Sequence, residues 1–263
     1  MATYKKRGYK KERDNKISRV AQESLVAKSL ESADDIAVKS EKFLEKHQNK
    51  IYTAILVVAL LVVGYYFYHQ RVVIPKRMEA ANEMNTAQQL FEKAIKETDP
   101  TQQKQLFEQA LNGAGGKYGF LDIEEEYSGT PSAKLAHYYA GVSYYYLGEF
   151  DKAIEELNRY KAKDEILHPM ALGLIGESFL QLNQPEDALE YFEKAAKASE
   201  NNFTTPLYWL KAGKTALYIY KTKGEKAYLK TAKEFFQKIT DQYPDTDFAK
   251  DAEIYLAQAQ YAK

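Results

Sequence analysis

Residues 140–160 read AGVSYYYLGEFDKAIEELNRY, and residues 175–195 read IGESFLQLNQPEDALEYFEKA. Small residues and bulky apolar residues occupy the same places in both stretches, 35 positions apart (175 minus 140). In an antiparallel helix pair, a small residue on one helix lets the two backbones approach, and bulky residues one turn away fill the sides. Because one such pair cannot bury its apolar face alone, the two stretches predict stacked helical hairpins.

Further copies extend the pattern in both directions. A third copy begins at Leu207, and the distance from its glycine to the alanine of its second helix is 19 residues, against 12 upstream, so it is seven residues longer. We expect a loop or the helix ends near 221–226 to absorb these seven residues. Helices are also predicted at 78–96, 102–111 and 120–127, and a capping helix at 247–262, with Asn112–Gly116 as a helix stop and Thr130 and Thr246 as helix N-caps.

The spacing matches the tetratricopeptide pattern, W-x2-L-G-x2-Y followed by A-x3-F-x2-A and P, at about 34 residues per unit. In the third copy five of these places are filled, by Trp209, Gly213, Ala232, Phe236 and Pro244. The predicted fold class is therefore all-α, an N-terminal transmembrane helix followed by a tetratricopeptide-repeat helical solenoid. The repeats are expected near 76–127, 134–167, 169–202 and 206–245.

Composition and motifs argue against an enzyme. The chain has no cysteine, and its 37 Lys and Arg residues balance 37 Asp and Glu residues. Motifs of serine hydrolases, zinc proteases, P-loops and dinucleotide-binding folds are absent from the sequence. We therefore expect no catalytic residue, no cofactor, no metal and no small-molecule substrate. Glu124–Glu126 is interpreted as a solvated helix face, and His137 and His168 as packing or capping residues.

One uncharged stretch, Ile51–Gln70, is long enough to cross a bilayer, because twenty helical residues rise about 30 Å. A transmembrane helix is predicted at 49–71, in preference to a buried core helix or a cleavable signal peptide. Side chains placed for the membrane interfaces flank it or lie at its end: Lys46, Lys50, Tyr65, Tyr66, Tyr68 and Arg71.

The segment before this stretch is basic. Residues 4–19 hold eight Lys and Arg residues and two acids, so 1–19 is predicted to be a disordered cytoplasmic arm and 20–48 a cytoplasmic helical segment. The arm serves topology and solubility, or it contacts anionic lipid or the ribosome. Basic residues favour the cytoplasmic side, which predicts a single-pass inner-membrane protein with residues 72–263 in the periplasm.

Tyrosines of the repeats are the candidate partner-binding residues. A helix cannot turn all of its side chains inward, and such arrays bind peptides on their concave face. The candidates are Tyr138, Tyr139, Tyr145, Tyr146 and Tyr208. The alternative is that these rings pack between repeats, and Trp209 is predicted to be a core residue.

The layout resembles a known family, the YfgM-type ancillary subunits of the bacterial SecYEG translocon. Phe43–Lys50 (FLEKHQNK) and Tyr66–Gln70 (YFYHQ) look like that family's membrane-flanking segments, although the extra helical unit and the long basic arm depart from it. The tyrosine-rich repeats and the YKKRGYK start resemble chains from Bacteroidota. The resemblance implies a position beside SecYEG, with a membrane-anchored prolyl isomerase as a further partner, and binding of unfolded secreted chains.

Two other functions stay open at the level of sequence. The body is alternatively a structural scaffold or assembly factor with one folded partner in another envelope complex, such as outer-membrane assembly or a secretion machine. A third interpretation puts the body in the cytoplasm as a receptor for cytosolic chains.

Overall fold

The computed structural model describes residue 40 and residues 45–262. The predictions of a disordered arm at 1–19 and of a helix over most of 20–48 therefore lie outside the described residues. The chain divides into two units, one ending at Gln70 and the other beginning at Arg71.

In the first unit, residues 45–68 form helix α1, which is followed by a π-helical turn at His69–Val73. Its apolar side chains from Tyr52 to Tyr68 are exposed. The helical run Glu45–Lys96 contains an 18-residue window with a mean hydropathy of 2.1, none of it buried, so by length and composition it is a candidate membrane span.

The second unit is helical, and the described residues include no strand. The helices are α2 (Ile74–Lys96), α3 (Pro100–Asn112), α4 (Phe120–Glu126), α5 (Pro131–Leu147), α6 (Phe150–Arg159), α7 (Leu167–Gln181), α8 (Pro185–Ala198), α9 (Thr204–Lys223), α10 (Lys226–Gln242) and α11 (Asp247–Tyr261). Each helix expected from the sequence of this region is present, with ends shifted by a few residues.

Local signals explain most helix ends. The Thr130 hydroxyl accepts a hydrogen bond from the backbone N–H of Ala133, as predicted for a helix N-cap. Gly113 follows α3 with a φ of 83°, so the glycine-rich segment does stop that helix. Thr246 is the N-cap residue of α11, as predicted, but its hydroxyl makes no capping hydrogen bond and donates instead to the carbonyl of Tyr243 in the preceding turn (2.8 Å).

Three helix pairs show the predicted packing of a small residue on one helix against a bulky residue on the other. A glycine on the first helix lies against a bulky side chain on the second: Gly141 on Leu157, Gly176 on Phe192 and Gly213 on Phe236. A Cβ at any of these glycines would come within 2.5–2.7 Å of the facing side chain. The repeated glycine therefore sets the close approach of the two helices in each hairpin.

The seven additional residues of the last hairpin are absorbed by its helices. Helices α9 and α10 have 20 and 17 residues, compared with 15 and 14 in α7 and α8. Only Gly224 and Glu225 connect α9 to α10. This hairpin is therefore longer than its neighbours, and the extra length is helical.

The first helices of successive hairpins form one side of the array. The backbones of α5 and α7, α7 and α9, and α9 and α11 approach one another closely, whereas within the described body those of α6, α8 and α10 lie farther apart. Helices α6 and α8 still meet through side chains, because the Tyr191 hydroxyl donates a hydrogen bond to Asn158 Oδ1 (3.5 Å). In a stacked array the side on which helices approach more closely is the inner side of the curve. Trp209 on α9 is buried in the core, as predicted.

Candidate functional site

Exposed tyrosines recur near the C-terminal ends of the first helices. Tyr146 on α5 and Tyr218 on α9 are 46% and 50% exposed. Each lies five residues after the glycine of its own repeat, Gly141 or Gly213. Because the repeat offset is the same, the two hydroxylated rings occupy equivalent places in hairpins on either side of α7. We call Tyr145, Tyr146 and Tyr218 the tyrosine surface.

Neighbouring aromatic rings hold the α5 part of the tyrosine surface in place. The Tyr146 ring stacks on that of Phe107, with centroids 5.0 Å apart and planes 12° from parallel. Tyr145 is half-buried, meets Phe150 edge-on at 5.6 Å and also contacts Tyr146. Burial, together with the nearby charge of Glu177, raises the pKa of Tyr145 above its ordinary value. Rings fixed in this way lose little entropy on binding a partner.

A cavity adjoins Tyr218. It has a volume of about 340 Å³ and lies between the C-terminal end of α7 and α9. Apolar and polar side chains line it: Leu180, Asn183, Pro185, Lys214, Thr215 and Tyr218. A mixed, mostly apolar recess beside an exposed ring is suited to an apolar side chain of a bound peptide.

Charged side chains tie the neighbouring first helices together. Lys211 on α9 forms an ion pair with Glu177 on α7, and this pair lies within the same two helices that border the cavity. Lys214 lines the cavity together with Tyr218, so a cationic and an aromatic group lie side by side there.

Two of the five tyrosines predicted to bind partners are buried, so the prediction is wrong for them. Tyr138 is 9% exposed and packs with Tyr139 and Tyr160. Tyr208 is 6% exposed, and its ring fills the space over Gly173, where a Cβ would come within 2.0 Å of it. These rings pack between repeats, the alternative left open by the sequence, and burial raises the pKa of Tyr138 to about 12.

The other three candidate tyrosines differ in their exposure. Tyr139 is half-buried, stacked on Phe120 at 5.2 Å, and therefore belongs to the packing between α4 and α5. Tyr145 and Tyr146 keep exposed area. Tyr218 belongs to a second aromatic cluster of the sequence with Tyr208, Trp209 and Tyr220, but it is not one of the five candidates, although its offset of five residues from the repeat glycine, shared with Tyr146, is a usable signal.

A buried polar cluster was also missed. Glu124 on α4, His137 on α5 and Glu156 on α6 come together, with His137 Nδ1 at 3.2 Å from Glu124 Oε2 and 2.8 Å from Glu156 Oε2. Glu125 and Glu126 are exposed as predicted, but the Glu124 side chain is only 10% exposed. A solvated face is therefore the wrong interpretation for Glu124, because α4 turns this side chain toward α5.

The predicted membrane-interface residues lie along or just after α1. Lys46, Lys50 and the three tyrosines at 65, 66 and 68 are exposed, as is Arg71 after the helix. The Tyr65 and His69 rings lie 5.9 Å apart on one face. Contact of these side chains with lipid stays a prediction.

Comparison with known proteins supports the repeat interpretation. The family profile described as tetratricopeptide repeat matches residues 121–165 and 143–203. Two similar crystal structures hold the nearly identical TPR-like repeats of a protein described as a kinesin light chain from Podosopora anserina, one of them a variant with a glutamine replaced by methionine. Each is 13% identical with a TM-score of 0.48, and the match covers 70% of this chain and 85% or 86% of the other. None of the curated proteins matches the chain.

The fold of the second unit is assigned from three observations: the helical hairpins, the glycine at their helix crossings and the match to the family profile. Repeats of this class act generally as modules for protein–protein interaction. The second unit of the chain is a tetratricopeptide-repeat helical solenoid.

Proposed function

We propose that this protein is a membrane-anchored interaction module that associates with the Sec translocon and binds secreted chains as they emerge in the periplasm. The observation that supports chain binding most directly is the tyrosine surface, because its exposed rings recur at one repeat offset on α5 and α9. The apolar helix α1 supports the anchor.

The chemistry of the tyrosine surface suits an unfolded chain. Such a chain presents scattered apolar side chains and unpaired backbone groups, and a tyrosine offers a rigid ring for the first and a hydroxyl for the second. Each aromatic pair contributes about 0.5–1.5 kcal/mol beyond its area. Several weak contacts along the array would therefore add up to useful affinity without selecting one sequence.

The exposed apolar surface of α1 supports a location in lipid. Helix α1 covers residues 45–68, which corresponds to about 36 Å at the usual rise per residue, against about 30 Å for the hydrocarbon core. Exposed apolar side chains run along it from Tyr52 to Tyr68. In water this surface would be costly, so lipid is the environment that its side chains fit. The basic residues before it favour a cytoplasmic N-terminus.

Partners and sidedness are tested together by cross-linking mass spectrometry on intact membranes. The expected result is cross-links from the body to periplasmic parts of SecYEG, to a membrane-anchored prolyl isomerase and to many secreted chains. One dominant folded partner outside Sec would instead support the envelope scaffold. Cross-links from the body to cytosolic proteins would contradict the proposed orientation.

Chain binding is tested with the full-length protein in nanodiscs, which should slow aggregation of an unfolded secreted protein. The double variant Tyr146→Ala/Tyr218→Ala should lose most of this effect while its helical content stays unchanged. Tyr118→Ala/Tyr261→Ala is the matched control, because both side chains are exposed but lie outside the tyrosine surface. Equal protection by both double variants would contradict a role for the tyrosine surface.

A further inference from the structure

The cluster of Glu124, His137 and Glu156 joins three helices through one ring nitrogen. His137 Nδ1 faces Glu124 Oε2 at 3.2 Å and Glu156 Oε2 at 2.8 Å. The two carboxylate side chains are 10% and 9% exposed, and the imidazole is 21% exposed. Candidate ligand atoms of the three residues all lie within 4.8 Å of one another.

Hydrogen bonding within the cluster is incomplete. A ring N–H has one hydrogen, so it cannot make two strong hydrogen bonds, yet oxygens of two carboxylates face the same nitrogen. The other oxygen of Glu124, Oε1, is buried and has no hydrogen-bond partner. Leaving a buried acceptor unpaired costs about 1–3 kcal/mol. The cluster therefore has more acceptors than one proton can satisfy.

The charges of the cluster also favour a bound cation. Two carboxylates buried next to each other need compensating positive charge. Arg159 Nη1 contacts Glu156 Oε1 at 3.1 Å and so supports one side of the cluster, but Glu124 on α4 has only the imidazole. A cation with several coordination positions would satisfy both carboxylates at once.

We propose that Glu124, His137 and Glu156 bind a divalent transition-metal cation of the Zn²⁺ class, with His137 binding through Nδ1. Imidazole nitrogen and carboxylate oxygen are established Zn²⁺ ligands, and four-coordinate sites are tetrahedral. With bonds of about 2.0–2.2 Å, tetrahedral ligand atoms lie about 3.3–3.6 Å apart. The His137–Glu124 separation of 3.2 Å already comes close to this, and the His137–Glu156 separation of 2.8 Å needs to widen by about 0.5–0.8 Å. The buried Glu124 Oε1 or a water completes the set.

Arg159 acts as a positioning residue in this site. Its contact with Glu156 Oε1 leaves Oε2 directed at His137, and a second contact with Glu155 Oε1 at 2.5 Å holds the guanidinium in place. Partners of this kind orient metal ligands in known sites. The metal would tie α4 to the first full hairpin, α5 and α6, and so stabilise the N-terminal side of the array.

Zn²⁺ binding to the full-length protein, freed of metal with a chelator and held in detergent, tests the proposal. Isothermal titration with Zn²⁺ alone should give one site per chain, and X-ray absorption should show nitrogen and oxygen ligands with a single imidazole. His137→Gln removes a direct ligand, so its affinity should fall by more than the roughly 10–100-fold seen when an outer partner is lost. His168→Gln is the matched control and should bind as the unchanged protein does.

A second variant distinguishes the loss of a metal ligand from the loss of the fold. Glu124→Gln keeps the shape of the side chain and leaves the contact between His137 and Glu156 intact, so it should fold normally and still lose most of its Zn²⁺ affinity. Circular dichroism checks the fold of each variant. Absence of a one-to-one site in the unchanged protein, or equal binding by His137→Gln and His168→Gln, would overturn the proposal and leave the cluster as a proton-sharing contact.

Discussion

The packing of Gly176 against Phe192 makes a prediction whose sign depends on the background. Phe192 on α8 is fully buried, and a Cβ on Gly176 of α7 would lie 2.7 Å from its ring. We therefore expect Gly176→Ala to destabilise the unchanged protein and to stabilise a protein that already carries Phe192→Ala.

The magnitudes follow from two opposing effects. Overpacking a well-packed core costs about 1–3 kcal/mol, whereas alanine gains about 0.8–1.0 kcal/mol over glycine in a helix interior. The net cost of Gly176→Ala is thus about 0–2 kcal/mol. Phe192→Ala should itself cost about 3–5 kcal/mol, because it empties a buried ring site. In that background no ring opposes the new Cβ, so Gly176→Ala should return about 1 kcal/mol.

The assay is urea unfolding of the full-length protein in detergent, followed by tryptophan fluorescence. The chain has one tryptophan, Trp209, which is 2% exposed in α9, so the signal reports on the repeat body. The matched control places Gly176→Ala on a Phe236→Ala background, where the substituted ring faces Gly213 instead. There the two changes should add. Simple addition in both backgrounds would refute the helix-pair packing described above.

Two further predictions concern single residues. Asp164→Ala should lower the free energy of unfolding by about 0.5–2 kcal/mol, because the Asp164 carboxylate accepts hydrogen bonds from the backbone N–H groups of Ile166, Leu167 and His168 at the start of α7. Burial alone would raise the pKa of Asp164, but hydrogen bonds from Tyr160 and these N–H groups outweigh the effect of burial and lower the pKa. The stabilisation by Asp164 is therefore fully present above the ordinary pKa of 3.8 and is lost as the pH falls through the lowered pKa. An acid unfolding curve that is unchanged in Asp164→Ala would contradict this pH dependence. Leu61→Arg in α1 should raise the insertion free energy by about 3–4 kcal/mol and reduce the carbonate-resistant membrane fraction. Leu61→Phe should not, and equal fractions for the two variants would count against the span.

The repeat helices were predictable from the sequence because their signals are local. Gly176 and Phe192, 16 residues apart, encode a helix crossing within one hairpin, and Thr130 encodes a helix start three residues before the N–H that it caps. The extra length of the last hairpin was also predictable, although only the structure assigns it to α9 and α10.

The site was less predictable because it depends on contacts between repeats. Tyr208 and Tyr146 are both tyrosines on first helices, yet one fills the space over Gly173 and the other is exposed. Tyr208 lies five residues before its repeat glycine and packs on Gly173 of the neighbouring hairpin, whereas Tyr146 lies five residues after its own, so the burial of Tyr208 depends on a contact with another repeat. The cluster of Glu124 and His137 was missed for the same reason, since 13 residues and a turn separate them in sequence.

The most direct test of an anchored, chain-binding repeat array is site-specific photocrosslinking in living cells. A photoreactive residue in place of Tyr146 or Tyr218 in the full-length protein should form adducts with newly secreted chains and with the translocon, whereas the same residue in place of Tyr261 should not. Adducts to a single folded envelope protein, or adduct patterns that are the same at all three positions, would contradict the account.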